Sequence, residues 1–223
     1  MCALSQRSTG GGAIVGSFEG SGLPPDDVVV GALRAGDEAM FAVLLDTWSR
    51  GMLRVARSYV STDHSAEEVV QDTWLAVIDG IDAFESRSSV KTWVFRILVN
   101  TAKKRGVRES RTLPWSTFER DGGPFVEFGA ARGGRFDGAA AWPTPEGEAL
   151  AAEVRVLIAE ALGRLPPRQR VVITLRDVEG CTSDEVCEIL EISAANQRVL
   201  LHRARTAVRG WLADYYEAVK QPE

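Results

Sequence analysis

Two sets of polar, mostly basic residues recur at helical spacing, and theirs are the side chains whose types and placement could do chemistry. Arg198, His202, Arg205 and Arg209 fall at i, i+4, i+7 and i+11, and Arg96, Asn100, Lys104 and Arg108 follow one another at four-residue steps. On a helix of 3.6 residues per turn each set forms one stripe. Guanidinium and ammonium groups in a stripe suit phosphate oxygens, and the amide of Asn100 offers a donor and an acceptor together, as reading a base edge requires. The chemistry indicated is recognition of a nucleic acid, not bond making. Gly10 to Gly12 lack the Lys-Ser/Thr pair of a phosphate loop, and no acid pair or nucleophile stands in a catalytic setting. Cys2, Cys181 and Cys187 form no CxxC pair and His64 and His202 lie far apart, so neither a disulfide framework nor a metal site is expected. The expectation is a chain with no cofactor, no metal and no enzymatic activity.

Taken alone, either stripe could be a solvated face of a bundle helix. Local composition argues otherwise. Ser193 to Gly210 holds four arginines and His202 with no acid, although the whole chain has a net charge of -5. Between Ser86 and Arg111 the basic residues are Arg87, Lys91, Arg96, Lys103, Lys104, Arg105, Arg108 and Arg111 against Glu109 alone, with Phe84, Trp93 and Phe95 interleaved. Aromatics beside cations suit a strand whose bases leave the stack. The plainer reading of Trp93 and Phe95 is as core residues.

Helical elements must position these stripes. Pro166 and Pro167 sit where proline is tolerated at a helix start, Val171, Val172 and Leu175 supply an apolar face, and the helix should stop near Gly180. Thr182 with Glu185 has capping-box spacing before a short helix carrying Val186, Ile189 and Leu190. Ser193 then caps a third helix running to about Arg209, with Leu201, Ala204 and Val208 turned to the core. This is helix-turn-helix spacing. Upstream, Phe41, Leu44, Leu45, Trp48, Met52, Leu53, Val55, Ala56 and Tyr59 mark a long amphipathic helix within Asp37 to Val60. Ser61 or Ser65 caps the next, which carries Val69, Val70, Trp74, Leu75 and Ile78 and exposes Glu68, Gln71 and Asp72. A loop, Asp82 to Ser89, leads into the basic helix.

At 223 residues and 45% hydrophobic content the chain can build two small cores. The fold expected is all-α: a flexible arm at 1–35, a first helical domain at 36–111, a Gly- and Pro-rich linker at 112–145, a second domain with the helix-turn-helix at 146–212, and a tail at 213–223. No apolar run reaches membrane-span length and no signal-peptide layout opens the chain, so a cytoplasmic protein without membrane insertion is expected.

The segments SAEEVVQDTWLAV, FESRSSVKTWVFRILVNTAKK and LPPRQRVVITLRDVEG with its helix-turn-helix, in this order, resemble bacterial RNA polymerase sigma factors of the extracytoplasmic-function (ECF) group. The resemblance implies a first domain that binds core RNA polymerase and opens the -10 promoter element, and a second that binds the -35 element as duplex. It implies contacts with the β′ clamp and β subunits, promoter DNA, and a separate anti-sigma factor. Carried over by position, Glu68, Gln71 and Asp72 face the polymerase. Phe84, Arg96, Asn100, Lys103 and Lys104 serve the -10 element, and Asn196, Gln197, Arg198, His202, Arg203 and Arg205 the -35 element. The chain departs from the family pattern at Val199 and Leu200, where many members have polar or basic residues, and at Gln197, on the stripe of Leu201 and Ala204. Glu191 stands where the turn commonly has glycine, and a left-handed backbone there costs a non-glycine residue about 1 kcal/mol. A conventional helix-turn-helix regulator acting without polymerase would instead dimerise on a palindrome. A helical adaptor would leave both stripes unexplained.

Overall fold

The computed structural model describes residues 22–112 and 145–220, so most of the expected arm and linker and the last three residues lie outside it. Eight α-helices are present and, among the described residues, no strand. The all-α expectation holds.

The first helix, α1 (Asp26–Arg34), is a correction, because these residues were expected to belong to a flexible arm. Val29 and Val30 bury one face against the helices that follow, while Asp26 and Asp27 favour the positive end of its dipole. Averaging over the Gly- and Ser-rich residues upstream hides this short apolar run. Helix α2 (Glu38–Ala56) starts at Asp37, whose carboxylate accepts from the Ala39 and Met40 amides at 2.9 and 3.0 Å. Helix α3 (Asp63–Gly80) is capped by Thr62, not by Ser61 or Ser65. Ser61 is engaged elsewhere: its amide and hydroxyl both donate to Glu109 near the end of α4. After a 3₁₀ turn, Ile81–Ala83, the basic helix α4 (Val90–Thr112) runs across α2 and α3. Its first amide, Val90 N, donates to the Asp26 carboxylate of α1 at 2.9 Å, so the cap of α4 comes from the far end of the unit. Gly106 lets α4 pass the Tyr59 carbonyl, which a β-carbon at 106 would strike.

The C-terminal unit begins with α5 (Pro145–Gly163), followed by α6 (Pro167–Ile173), a π turn (Thr174–Val178), α7 (Ser183–Leu190) and α8 (Ala194–Lys220). The capping box of α7 forms as expected: Thr182 Oγ1 accepts from Glu185 N at 3.2 Å and Thr182 N donates to Glu185 Oε2 at 2.7 Å. Gly180, with φ of +70°, ends the segment before it. Glu191 is left-handed at φ 57°, ψ 48°, as its place in the turn implied. Helix α8 runs past Arg209 because Trp211 and Tyr215 stack one turn apart and Arg164, in the turn after α5, lies over the Trp211 ring, 4.8 Å from its centroid. Arg170 ties α6 back to α5 by donating to the Leu162, Gly163 and Leu165 carbonyls. The buried residues of both units form one cluster, continuous where α7 lies on α4.

Candidate nucleic-acid interface

Helix α4 carries the first basic surface. Arg96 and Lys104 are exposed, and Asn100 and Lys103 half-buried. Phe84, expected to border a base pocket, is only 7% exposed and tilts against Trp93 with ring centroids 4.9 Å apart, so its ring belongs to the core here. Phe95 is fully buried and Trp93 half-buried, as the core reading of these aromatics has it. What holds the loop before α4 is a residue the sequence reading passed over. Arg34, at the end of α1, donates to the Ile81, Asp82 and Phe84 carbonyls at 3.3, 3.3 and 2.8 Å. A guanidinium with its fixed fork of donors can satisfy several carbonyls of one turn at once. The signal in the sequence was a lone arginine ending an apolar run, which has no distinguishing pattern.

The acidic face of α3 is partly internal in its bonding. Gln71 and Asp72 are exposed, whereas Glu68 is half-exposed and accepts from Arg105 of α4, with His64 Nε2 3.6 Å away. Leu75, 61% exposed, and Ile78 follow Gln71 and Asp72 on the solvent side, so the face is mixed apolar and acidic. Large apolar side chains left in water beside polar ones are the composition of a contact surface.

The second basic surface is the start of α8. Asn196, Arg198, His202, Arg203 and Arg205 are exposed. Gln197 is not: at 1% exposure it lies in the core with Leu201 and Ala204, and its Nε2 finds no protein partner. The expectation that Gln197 contacts DNA is therefore corrected, since its side chain points away from any ligand of that face. A helix advances about 100° per residue, which places Ala195, Val199 and Thr206 diametrically opposite the buried Gln197, Leu201, Ala204 and Val208 stripe. Val199 is 48% exposed at the centre of this outer face, flanked by His202 and Arg203. Arg198, Arg205 and Arg209 line its side. Arg205 is already partnered by Asp177 of the π turn, a bond that raises the guanidinium's pKa further.

Bonds also cross from one unit to the other. Arg54 Nε donates to Glu179 Oε1 at 2.8 Å, Lys91 Nζ to the Glu179 carbonyl at 2.7 Å, and Arg96 Nη2 to Glu191 Oε1 at 2.9 Å. Ser89 and Thr92 each donate a hydroxyl hydrogen bond to Glu185 Oε1 at 3.3 Å. Burial works to raise the Glu185 carboxyl's pKa, but the bonds from Thr182, Ser89 and Thr92 outweigh it and hold the group below the usual carboxylate range.

Comparison with known proteins decides the family. The description "Sigma-70 region 2" matches residues 44–112 and "Sigma-70, region 4" residues 155–208, so the two basic helices fall in two separate regions of one family. The chain belongs to the ECF sigma factors. It is 28% identical over 183 residues to the ECF RNA polymerase sigma-E factors of Salmonella typhimurium (strain LT2) and Escherichia coli (strain K12), covering 82% of this chain and 92% of each relative. Two solved structures share the fold. One is the sigma factor RpoE in complex with the anti-sigma factor NepR from Bartonella quintana, with a TM-score of 0.55 and 24% identity, covering 78% of this chain and 96% of that one. The other is CnrH in complex with the cytosolic domain of CnrY, with a TM-score of 0.54 and 21% identity, covering 85% and 97%. The sigma factor therefore directs RNA polymerase to promoters in transcription initiation, a non-enzymatic role, and the reading as a conventional helix-turn-helix regulator acting without polymerase is not favoured. Among the described residues no helix is long and apolar enough to cross a membrane.

Proposed function

We propose that region 2 of this sigma factor, helices α1 to α4, binds core polymerase through α3 and opens the -10 element on α4, while region 4, helices α5 to α8, reads the -35 element as duplex through α8. The observation that carries this is the separation of tasks over distinct surfaces. Gln71, Asp72, Leu75 and Ile78 form a mixed apolar and acidic face on α3. Arg96, Asn100, Lys103 and Lys104 lie along α4, and Asn196, Arg198, Val199, His202 and Arg203 along the outer side of α8.

Asn100 is the edge reader of the first DNA surface. Its amide can pair with an extruded base, and the neighbouring lysines neutralise the backbone of the strand. Phe84 serves from behind, as the packing partner of Trp93. The protein acts in the cytoplasm, where polymerase and promoter are, and an anti-sigma factor of the kind bound to the Bartonella RpoE is its regulatory partner.

Run-off transcription with core polymerase on promoters recovered by pull-down and sequencing tests the reading. Defined transcripts should require the sigma factor. The double substitution Gln71→Lys, Asp72→Lys, which adds one positive charge and reverses a negative one, should abolish core binding without unfolding the chain, because both residues are exposed and surface changes of this kind shift stability by roughly 0.5 kcal/mol or less. Asn100→Ala should leave recruitment intact and suppress permanganate reactivity at the -10 element. Normal core binding by the double variant would remove α3 from the mechanism, and normal opening by Asn100→Ala would remove the edge reader.

A further inference from the structure

Helix α1 grips the loop before α4 at both of its ends. Arg34, the last residue of α1, donates to the Ile81, Asp82 and Phe84 carbonyls where the loop begins. Asp26, its first residue, accepts from the Val90 amide at 2.9 Å where the loop becomes α4. The two grips therefore stand at opposite ends of one nine-residue helix, about 12 Å apart at 1.5 Å per residue, on a rod that neither stretches nor shortens. The rod itself is fixed, because Val29 and Val30 are buried and the Ala32 carbonyl accepts from the amide of Asp37, the residue that caps α2.

Between the grips, Glu85, Ser86 and Arg87 are exposed, and Ser86 is left-handed with φ of 54°, a conformation strained for serine relative to glycine. Such backbone persists where the surrounding structure over-determines it, and it clusters at ligand clamps. The ion pair between Glu85 and Arg87 lies in water and holds little on its own. Ser89 already caps α4, its Oγ accepting from the Thr92 amide at 3.1 Å, so what the Asp26 bond adds is a fixed position for the end of the loop.

We propose that α1 is a brace for promoter selection: Asp26 and Arg34 are positioning residues that fix the 85–89 loop before DNA arrives, so that a strand leaving the α4 stripe meets a preformed surface. The inference rests on the proposed assignment of α4 to the -10 element. Arg96 lies within the first two turns of α4, so a strand that follows Lys104, Asn100 and Arg96 runs on toward this loop. A surface that is rigid before binding does not reshape itself around a wrong base, and it spends no ordering entropy on the right one. The match to region 2 begins at residue 44, so the brace is carried by residues outside the matched segment.

Holoenzyme made with Asp26→Ala, Asp26→Asn or Arg34→Ala tests the brace. The templates are recovered promoters whose -10 segment is left unpaired by a mismatched template strand, with the other strand varied one base at a time. Unpaired templates remove the cost of opening and leave the reading of the strand. Asp26→Ala should narrow the preference at the bases beside the loop by about fivefold, the low end for one misread base, with core affinity unchanged. Arg34→Ala, which frees the other end of the same loop, should narrow it at the same bases. Asp26→Asn should keep the full preference, since its amide oxygen still accepts from the Val90 amide. A purely structural role would lower the melting temperature of Asp26→Ala and leave the preference intact well below it, and that result would overturn the proposal while the proposed function stands. Loss of preference at unrelated bases in the two alanine variants, or loss of core binding by folded Asp26→Ala, would overturn it as well. If the unsubstituted holoenzyme shows no preference among the unpaired templates, the assignment of α4 fails and the brace fails with it.

Discussion

Arg205 and Asp177 meet in a two-pronged ion pair, Nε donating to Oδ2 at 2.8 Å and Nη2 to Oδ1 at 2.6 Å. The pair joins α8, proposed above to read the -35 element, to the π turn and cancels a charge that would otherwise be offered to phosphate. We therefore expect Asp177→Asn to free Arg205 and to steepen the dependence of duplex affinity on log salt by about 0.9, the slope of one added phosphate contact. Arg205→Ala should change that slope much less than Arg203→Ala, since the Arg203 charge is lost outright. Titration of -35 duplex at several salt concentrations measures all three. Equal slope changes for the two arginines would show that DNA displaces Asp177 from Arg205.

Gln197 is the second point at which local chemistry and burial disagree. Its amide is buried beside Leu201 and Ala204 with Nε2 unpartnered, and an unsatisfied buried polar group costs about 1 to 3 kcal/mol. Gln197→Leu keeps comparable volume and removes the orphaned donor, so region 4 should gain roughly 1 to 2 kcal/mol. A rise of several degrees in the melting temperature, with duplex affinity unchanged, is the expected outcome. Loss of affinity without loss of stability would return Gln197 to the DNA-contacting set.

Most of the architecture was legible because it is written in strong local signals. The Asp37 helix start, the Thr182 and Glu185 capping box, the Ser193 start of α8 and the left-handed Glu191 each follow from the chemistry of helix ends, which acts over a few residues. What escaped the sequence was set by contacts distant along the chain. Helix α1 is fixed by burial of Val29 and Val30, and its Asp26 caps a helix 64 residues away. Arg34 is defined by carbonyls it reaches from 47 to 50 residues downstream. The inward turn of Gln197 was foreshadowed by its place on the Leu201 stripe, whereas family position argued for DNA, and burial decided it. Periodicity likewise suggested a helix carrying Leu75 and Ile78 but not that both stay in water.

Arg34 gives a prediction that separates opening from recruitment. The loop it holds leads directly into α4, and if the guanidinium is removed its three carbonyl partners lose that donor, Ile81 O keeping the Phe84 amide. Arg34→Ala should leave core binding and -35 binding intact, because neither surface includes α1. Permanganate reactivity at the -10 element should fall severalfold, and Arg34→Lys should rescue it only in part, since an ammonium lacks the planar fork. Unaltered opening in Arg34→Ala would make the staple a matter of stability alone, to be read as a lowered melting temperature.

Val199 occupies the centre of the outer face of α8, where a helix-turn-helix brings side chains closest to base edges, and it has no polar atom to offer. An apolar side chain in the major groove distinguishes bases by contact with the thymine methyl. Arg198 lies on the flank near the helix start and can still reach a guanine edge or a phosphate. We expect Val199→Ala to reduce discrimination at one T·A pair of the -35 element by about 1 kcal/mol, the lower end of the range for a single base contact, while leaving the salt dependence of binding unchanged. Arg198→Ala should instead cost about 1 to 3 kcal/mol at a neighbouring pair if it reads an edge, or weaken all sites alike and lower the salt slope by about 1 if it holds phosphate. Binding of both variants to a library of single-base -35 substitutions at two salt concentrations distinguishes these outcomes. An unchanged preference profile for Val199→Ala would move specificity to the flanking His202 and Arg203, leaving the apolar centre of the face as a spacer that sets how deeply the helix enters the groove.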